Sequence, residues 1–90
     1  MHREIFLTPI KSKLQSEIKF KLNSDDFSKS DIRLIKNYLK SNNYNFHAYR
    51  SYSKVKLMSW VTFKIKTNKH YIDFDENDIL AKDILTNALK

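Results

Sequence analysis

Not one of the 90 residues is glycine and only one is proline. Sites built on a glycine backbone are therefore excluded, namely the phosphate-cradling loops of both common kinds and the nucleophile elbow. Where a helix ends on a left-handed residue, Asn must take the place that glycine usually fills. A two-residue hairpin turn is also harder to build, because its second position favours glycine.

Within that limit the stretch Lys54–Asp75, KVKLMSWVTFKIKTNKHYIDFD, carries the strongest pattern. Val55, Leu57, Ser59, Val61, Phe63 and Ile65 alternate with Lys54, Lys56, Met58, Trp60, Thr62, Lys64 and Lys66, which is the period of a strand with one dry and one wet face. A turn at Asn68-Lys69 would pair Ile65 with Ile72 and Phe63 with Phe74 inward. The same register sets Lys64 beside Asp73 and Lys66 beside Tyr71 outward. A third strand over His70–Asp75 follows.

Upstream, Ile10, Leu14, Ile18 and Leu22 recur every four residues, yet Ile18, Phe20 and Leu22 alternate with Glu17, Lys19 and Lys21. The alternation favours a strand over Ser16–Leu22, followed by a polar turn over Asn23–Asp26. Ser28 and Asp31 form a capping box, with Phe27 and Ile32 placed as a hydrophobic staple, and predict a helix to about Lys40. Its buried stripe is Ile32, Ile35, Tyr38 and Leu39, and Asn42 or Asn43 ends it. Tyr44–Tyr52 predicts a strand that turns at Tyr52-Ser53, setting Ala48 opposite Leu57 and Phe46 opposite Ser59, with His47 beside Met58 and Tyr49 beside Lys56 on the other face. Asp75 and Asp78 predict a last helix, with Phe74 stapled to Ile79 and with Leu80, Ile84, Leu85, Ala88 and Leu89 buried.

The expected class is α+β: a small two-layer domain of helix, three-stranded antiparallel meander and helix over about 28–89, with an extra N-terminal strand or helix. Residues 1–90 are read as a single domain, with 1–23 as an N-terminal extension and 24–90 as the body. This order resembles that of double-stranded RNA-binding domains and of one class of small ribonuclease toxins. Asp75, Glu76 and Asp78 replace the Lys cluster that opens the second helix of the former, and the Gly-Ser-His motif of the latter is missing, so no family is assigned.

Charge points to a partner. Residues 1–72 hold fifteen Lys and Arg against five acids, and residues 73–90 hold two against five, so a body of +10 precedes a segment of −3. Such a body suits an anionic partner, nucleic acid (RNA or DNA) or an acidic protein surface. The meander collects Lys54, Lys56, Lys64 and Lys66 around His47, Tyr49, Trp60 and Tyr71 on the face that no helix covers. Rings stack bases and ammonium groups meet phosphates there. A second basic surface is the helix face of Arg33, Lys36 and Lys40, with Lys29 near its start, while Arg50 snorkels out at a strand edge.

No catalytic residue, metal site or cofactor is expected. His2, His47 and His70 lack metal-ligand spacing, and Asp73-x-Asp75-x-Asn77 opens like a calcium loop but has Asp78 where Gly is needed and Ile84 where the bidentate Glu belongs. A metal-free endoribonuclease built on His47, Tyr49, Arg50 and Lys56 is a less favoured alternative. No cysteine is present, and no apolar run reaches the roughly 18 residues of a spanning helix. The expected setting is bacterial or infected-host cytoplasm without a membrane partner, as monomer or homodimer. The wealth of Lys, Asn, Ile, Tyr and Phe suits an AT-rich genome such as a phage's. The expected role is a non-catalytic nucleic-acid-binding regulator or accessory protein, with an inhibitor or adaptor that docks on protein as the alternative.

Overall fold

Five elements follow one another in the computed structural model, which describes residues 17–68 and 72–90: β1 (Glu17–Asn23), α1 (Lys29–Ser41), β2 (Phe46–Ser53), β3 (Met58–Lys66) and α2 (Phe74–Ala88). The fold is α+β, with antiparallel strands in the order β1-β3-β2 and both helices contributing to one core against one face of the sheet.

β1 forms as its alternation predicts, with Ile18, Phe20 and Leu22 buried and Glu17, Lys19 and Lys21 half-exposed. It sets Ile18 opposite Ile65, Phe20 opposite Phe63 and Leu22 opposite Val61. That is the side of β3 expected to receive residues 70–75, and the expectation is corrected here. Ile72 is buried in the core, Asp73 caps α2, and the helix begins at Phe74. Lys69, His70 and Tyr71, and with them the second half of the predicted Asn68-Lys69 turn, lie outside the described residues. The physical reason is apolar content: β1 matches three large core side chains to three on β3, where 70–75 offers two. The order is therefore strand, helix, two strands, helix, and the resemblance to the double-stranded RNA-binding and toxin folds does not hold.

The capping box of α1 is present. The Asp31 N–H donates to Ser28 Oγ at 3.1 Å and the Ser28 N–H donates to Asp31 Oδ2 at 3.0 Å. Phe27 and Ile32 are both buried, as are Ile35 and Leu39, with Tyr38 packed partly against them. Asn43 takes the left-handed conformation after the helix, at φ 60°, the duty that a glycine-free chain assigns to Asn. In α2 the cap is Asp73 instead of Asp75, its Oδ1 accepting the Glu76 N–H at 2.8 Å. Moving the start forward by two residues makes Phe74 the first helical residue, so Phe74 and Ile79 stay exposed and the expected staple is absent. Ala81, Ile84, Leu85 and Ala88 are buried, and Leu80 and Leu89 partly so. The two helices carry opposite charge: four cations and Asp31 on α1, four acids and Lys82 on α2.

The hairpin of β2 and β3 turns over Lys54–Leu57, with Ser53 opposite Met58. This corrects the turn expected at Tyr52-Ser53. Ala48 now faces Phe63, six residues beyond Leu57, and Phe46 faces Ile65; His47 faces Lys64 and Tyr49 faces Thr62. Six is an even shift, so the β2 side chains keep their predicted faces while their partners change. The shift brings Phe46 and Ala48 over the largest apolar groups of β3 and leaves Val55 (95%) and Leu57 (76%) exposed in the turn. Leu57 also sits at φ 51°, a left-handed conformation that costs about 1–2 kcal/mol for a residue with a Cβ.

β1 is an end strand, and α2 covers part of its open edge. The Lys19 N–H donates to Asn77 Oδ1 at 2.6 Å, and Asn77 Nδ2 donates to the Lys19 carbonyl at 2.8 Å. One primary amide thus supplies the donor and acceptor that a neighbouring strand would bring. Asn77→Ala is expected to lower unfolding free energy by about 1–3 kcal/mol, since two part-buried backbone groups lose their partners. Asn77→Asp, which keeps the acceptor only, should fall between. Urea denaturation reads both, and an unchanged midpoint for the alanine variant would show that the amide does not hold α2 to the sheet.

Candidate functional site

Pleating sends the second set of strand side chains away from the helices, and pairing arranges them in rows. Lys19, Lys64 and His47 lie side by side across the sheet, then Lys21, Thr62 and Tyr49, then Asn23, Trp60 and Ser51. Thr62, at the centre, is only 5% exposed although no helix among the described residues lies on this side. Two diagonal contacts flank it. Lys21 Nζ stands 4.9 Å from the Trp60 ring centroid, and Lys64 Nζ stands 5.6 Å from that of Tyr49. Diagonal neighbours lie about 7–8 Å apart at the backbone, within reach of long side chains and rings.

The expected site residues divide into four groups. Trp60, Tyr49, His47, Lys64 and Lys66 share the outer face as predicted by their parity. Lys54 and Lys56 do not; they are exposed in the turn, because the hairpin closes later than expected. Tyr71 lies outside the described residues. Arg33, Lys36 and Lys40 lie on α1, in the helical layer on the other side of the sheet. Lys19 and Lys21 join the face without having been named for it, and the alternation of Glu17, Lys19 and Lys21 is the signal that places them there.

Geometry separates the groups considered for ribonuclease chemistry. His47 and Tyr49 face outward, Arg50 is on the helix side opposite Val61, and Lys56 is in the turn. Among the described residues no group of three or more His, Asp or Glu gathers to hold a metal, and no described helix is long and apolar enough to cross a membrane.

A lysine over an exposed ring contributes about 0.5–1 kcal/mol. A base stacked on the same ring contributes about 1–3 kcal/mol. Comparison with family models, curated proteins and solved structures returns no match for this chain, so the site is interpreted from its own geometry.

Proposed function

We propose that this protein binds single-stranded nucleic acid on the outer face of its sheet, as a small non-catalytic accessory or regulatory factor. Trp60 and Tyr49 stack bases, and Lys19, Lys21, Lys64 and Lys66 meet the phosphates. The observation that carries the reading is the pair of lysine-covered rings flanking Thr62 on the face opposite α1 and α2. Four cations predict a slope of log affinity against log salt of about −3 for a single strand. Trp60 is the sole tryptophan, so its emission reports contact directly. Titration with an RNA or DNA oligonucleotide between about 50 and 200 mM salt is expected to show steeply salt-dependent binding together with Trp60 quenching. Absence of binding and of quenching at low salt would refute the proposal.

One observation favours a second reading, an adaptor that docks on an acidic protein. Val55 and Leu57 stand exposed, alternating with Lys54 and Lys56, at the hairpin turn, with Tyr52 nearby and 61% exposed. Under that reading a Val55→Ser, Leu57→Ser variant loses its partner while oligonucleotide binding is absent from the start.

A further inference from the structure

α1 turns a second basic surface toward β2. Lys29, Arg33, Lys36 and Lys40 fall at i, i+4, i+7 and i+11, one face of a helix, and extend about 16 Å along its axis at 1.5 Å per residue. Arg50 of β2, on the helix side of the sheet, forms the opposite wall. These five line an open groove of about 300 Å³ with Ile32 and Asn37. None of the five makes an ion pair or side-chain hydrogen bond among the described residues, where Lys82 does pair with Asp78 at 3.1 Å.

Five cations along one groove, none paired with an acid among the described residues, call for a polyanion, and neighbours at i,i+3 and i,i+4 along α1 repel one another until one arrives. Among the described residues its lining has no aromatic side chain. Those residues offer nothing on which to stack a base, and the row of charge matches a ligand that presents phosphates and hides its base faces. We infer that the groove between α1 and β2 binds the phosphodiester backbone of a nucleic-acid duplex, through charge and without regard to sequence. This site is distinct from the sheet face, although the two share β2: Tyr49 serves one side of the strand and Arg50 the other.

The test uses a short blunt-ended duplex, which offers no unpaired base. The full chain binds it, and the Arg33→Ala, Arg50→Ala variant binds about tenfold more weakly, with a salt slope shallower by about 2. Arg33→Lys, Arg50→Lys recovers most of the affinity, and circular dichroism confirms that each variant is folded. Both positions are exposed. Quenching of Trp60 by a single strand, measured in parallel, keeps its wild-type value in the alanine variant, so a failure of the sheet-face reading is scored separately. Equal duplex affinity for wild type and the alanine variant would overturn the inference. Capture of an inorganic polyphosphate chain by a protein that ignores the duplex would overturn it too, assigning the groove to free polyphosphate.

Discussion

Phe63→Ala is expected to lower the free energy of unfolding by about 3–5 kcal/mol, the range for truncating a buried phenylalanine. Phe63 is fully buried in the middle of the central strand, its ring 5.1 Å from that of Phe20 at 19° and 6.2 Å from that of Phe46. Helices close over the cluster from one side and strands flank it on two, so the cavity has little room to collapse. Small domains hold about 5–15 kcal/mol in total, so a wild type at the low end of that range would leave the variant close to its unfolding midpoint at room temperature. Phe63→Leu, which keeps most of the volume, gives a measurable reference if the alanine variant does not fold. Combining Phe63→Leu with Phe20→Leu in a double-mutant cycle should reveal a coupling of about 0.5–1.5 kcal/mol from the stacked rings. A loss under about 1 kcal/mol for Phe63→Ala would contradict the register that places this ring at the centre.

Trp60→Ala is expected to weaken single-strand binding by about 5- to 150-fold, the equivalent of about 1–3 kcal/mol for one stacked base. The salt slope should not change, because the substitution removes no cation. Lys21→Ala should do the reverse: a smaller loss of affinity with the slope reduced by about 0.7. Anisotropy of a labelled oligonucleotide reads both, and Trp60→Phe is expected to retain much of the binding. The proposed stacking surface is wrong if Trp60→Ala binds as tightly as wild type. The contrast between the two variants separates stacking from charge, which a single affinity does not.

Within β1, β2 and β3 the face of each side chain was legible from period; where the strands end, which exposes Val55 and Leu57, and which strands are neighbours were not. Alternation decides parity, and parity survives the six-residue displacement of the β2 partners, so Trp60, Tyr49 and His47 were placed on the correct face with wrong neighbours. Partner choice depends on how much apolar surface each candidate brings to β3, a comparison across the whole fold. Ile18, Phe20 and Leu22 prevail there over Ile72 and Phe74. Losing that competition also frees Asp73 to cap α2, and with Asp at both 73 and 75 the local sequence offers two starts. Lys19 and Lys21 escaped notice because the four-residue spacing of Ile10, Leu14, Ile18 and Leu22 competes with the strand pattern. α1 was legible nearly to the residue, since its capping box and buried stripe are written within fourteen consecutive positions, 28–41.

The unequal helices have a consequence for motion. α1 bears a net +3, four cations less Asp31, and α2, packed beside it, a net −3, four acids less Lys82. Two such rods side by side give the molecule a permanent dipole moment in addition to its monopole. In the potential around any polyanion that dipole feels a torque at distances of the order of the Debye length, about 8–10 Å in physiological salt. Approach with α1 leading and α2 trailing is thereby favoured over the reverse.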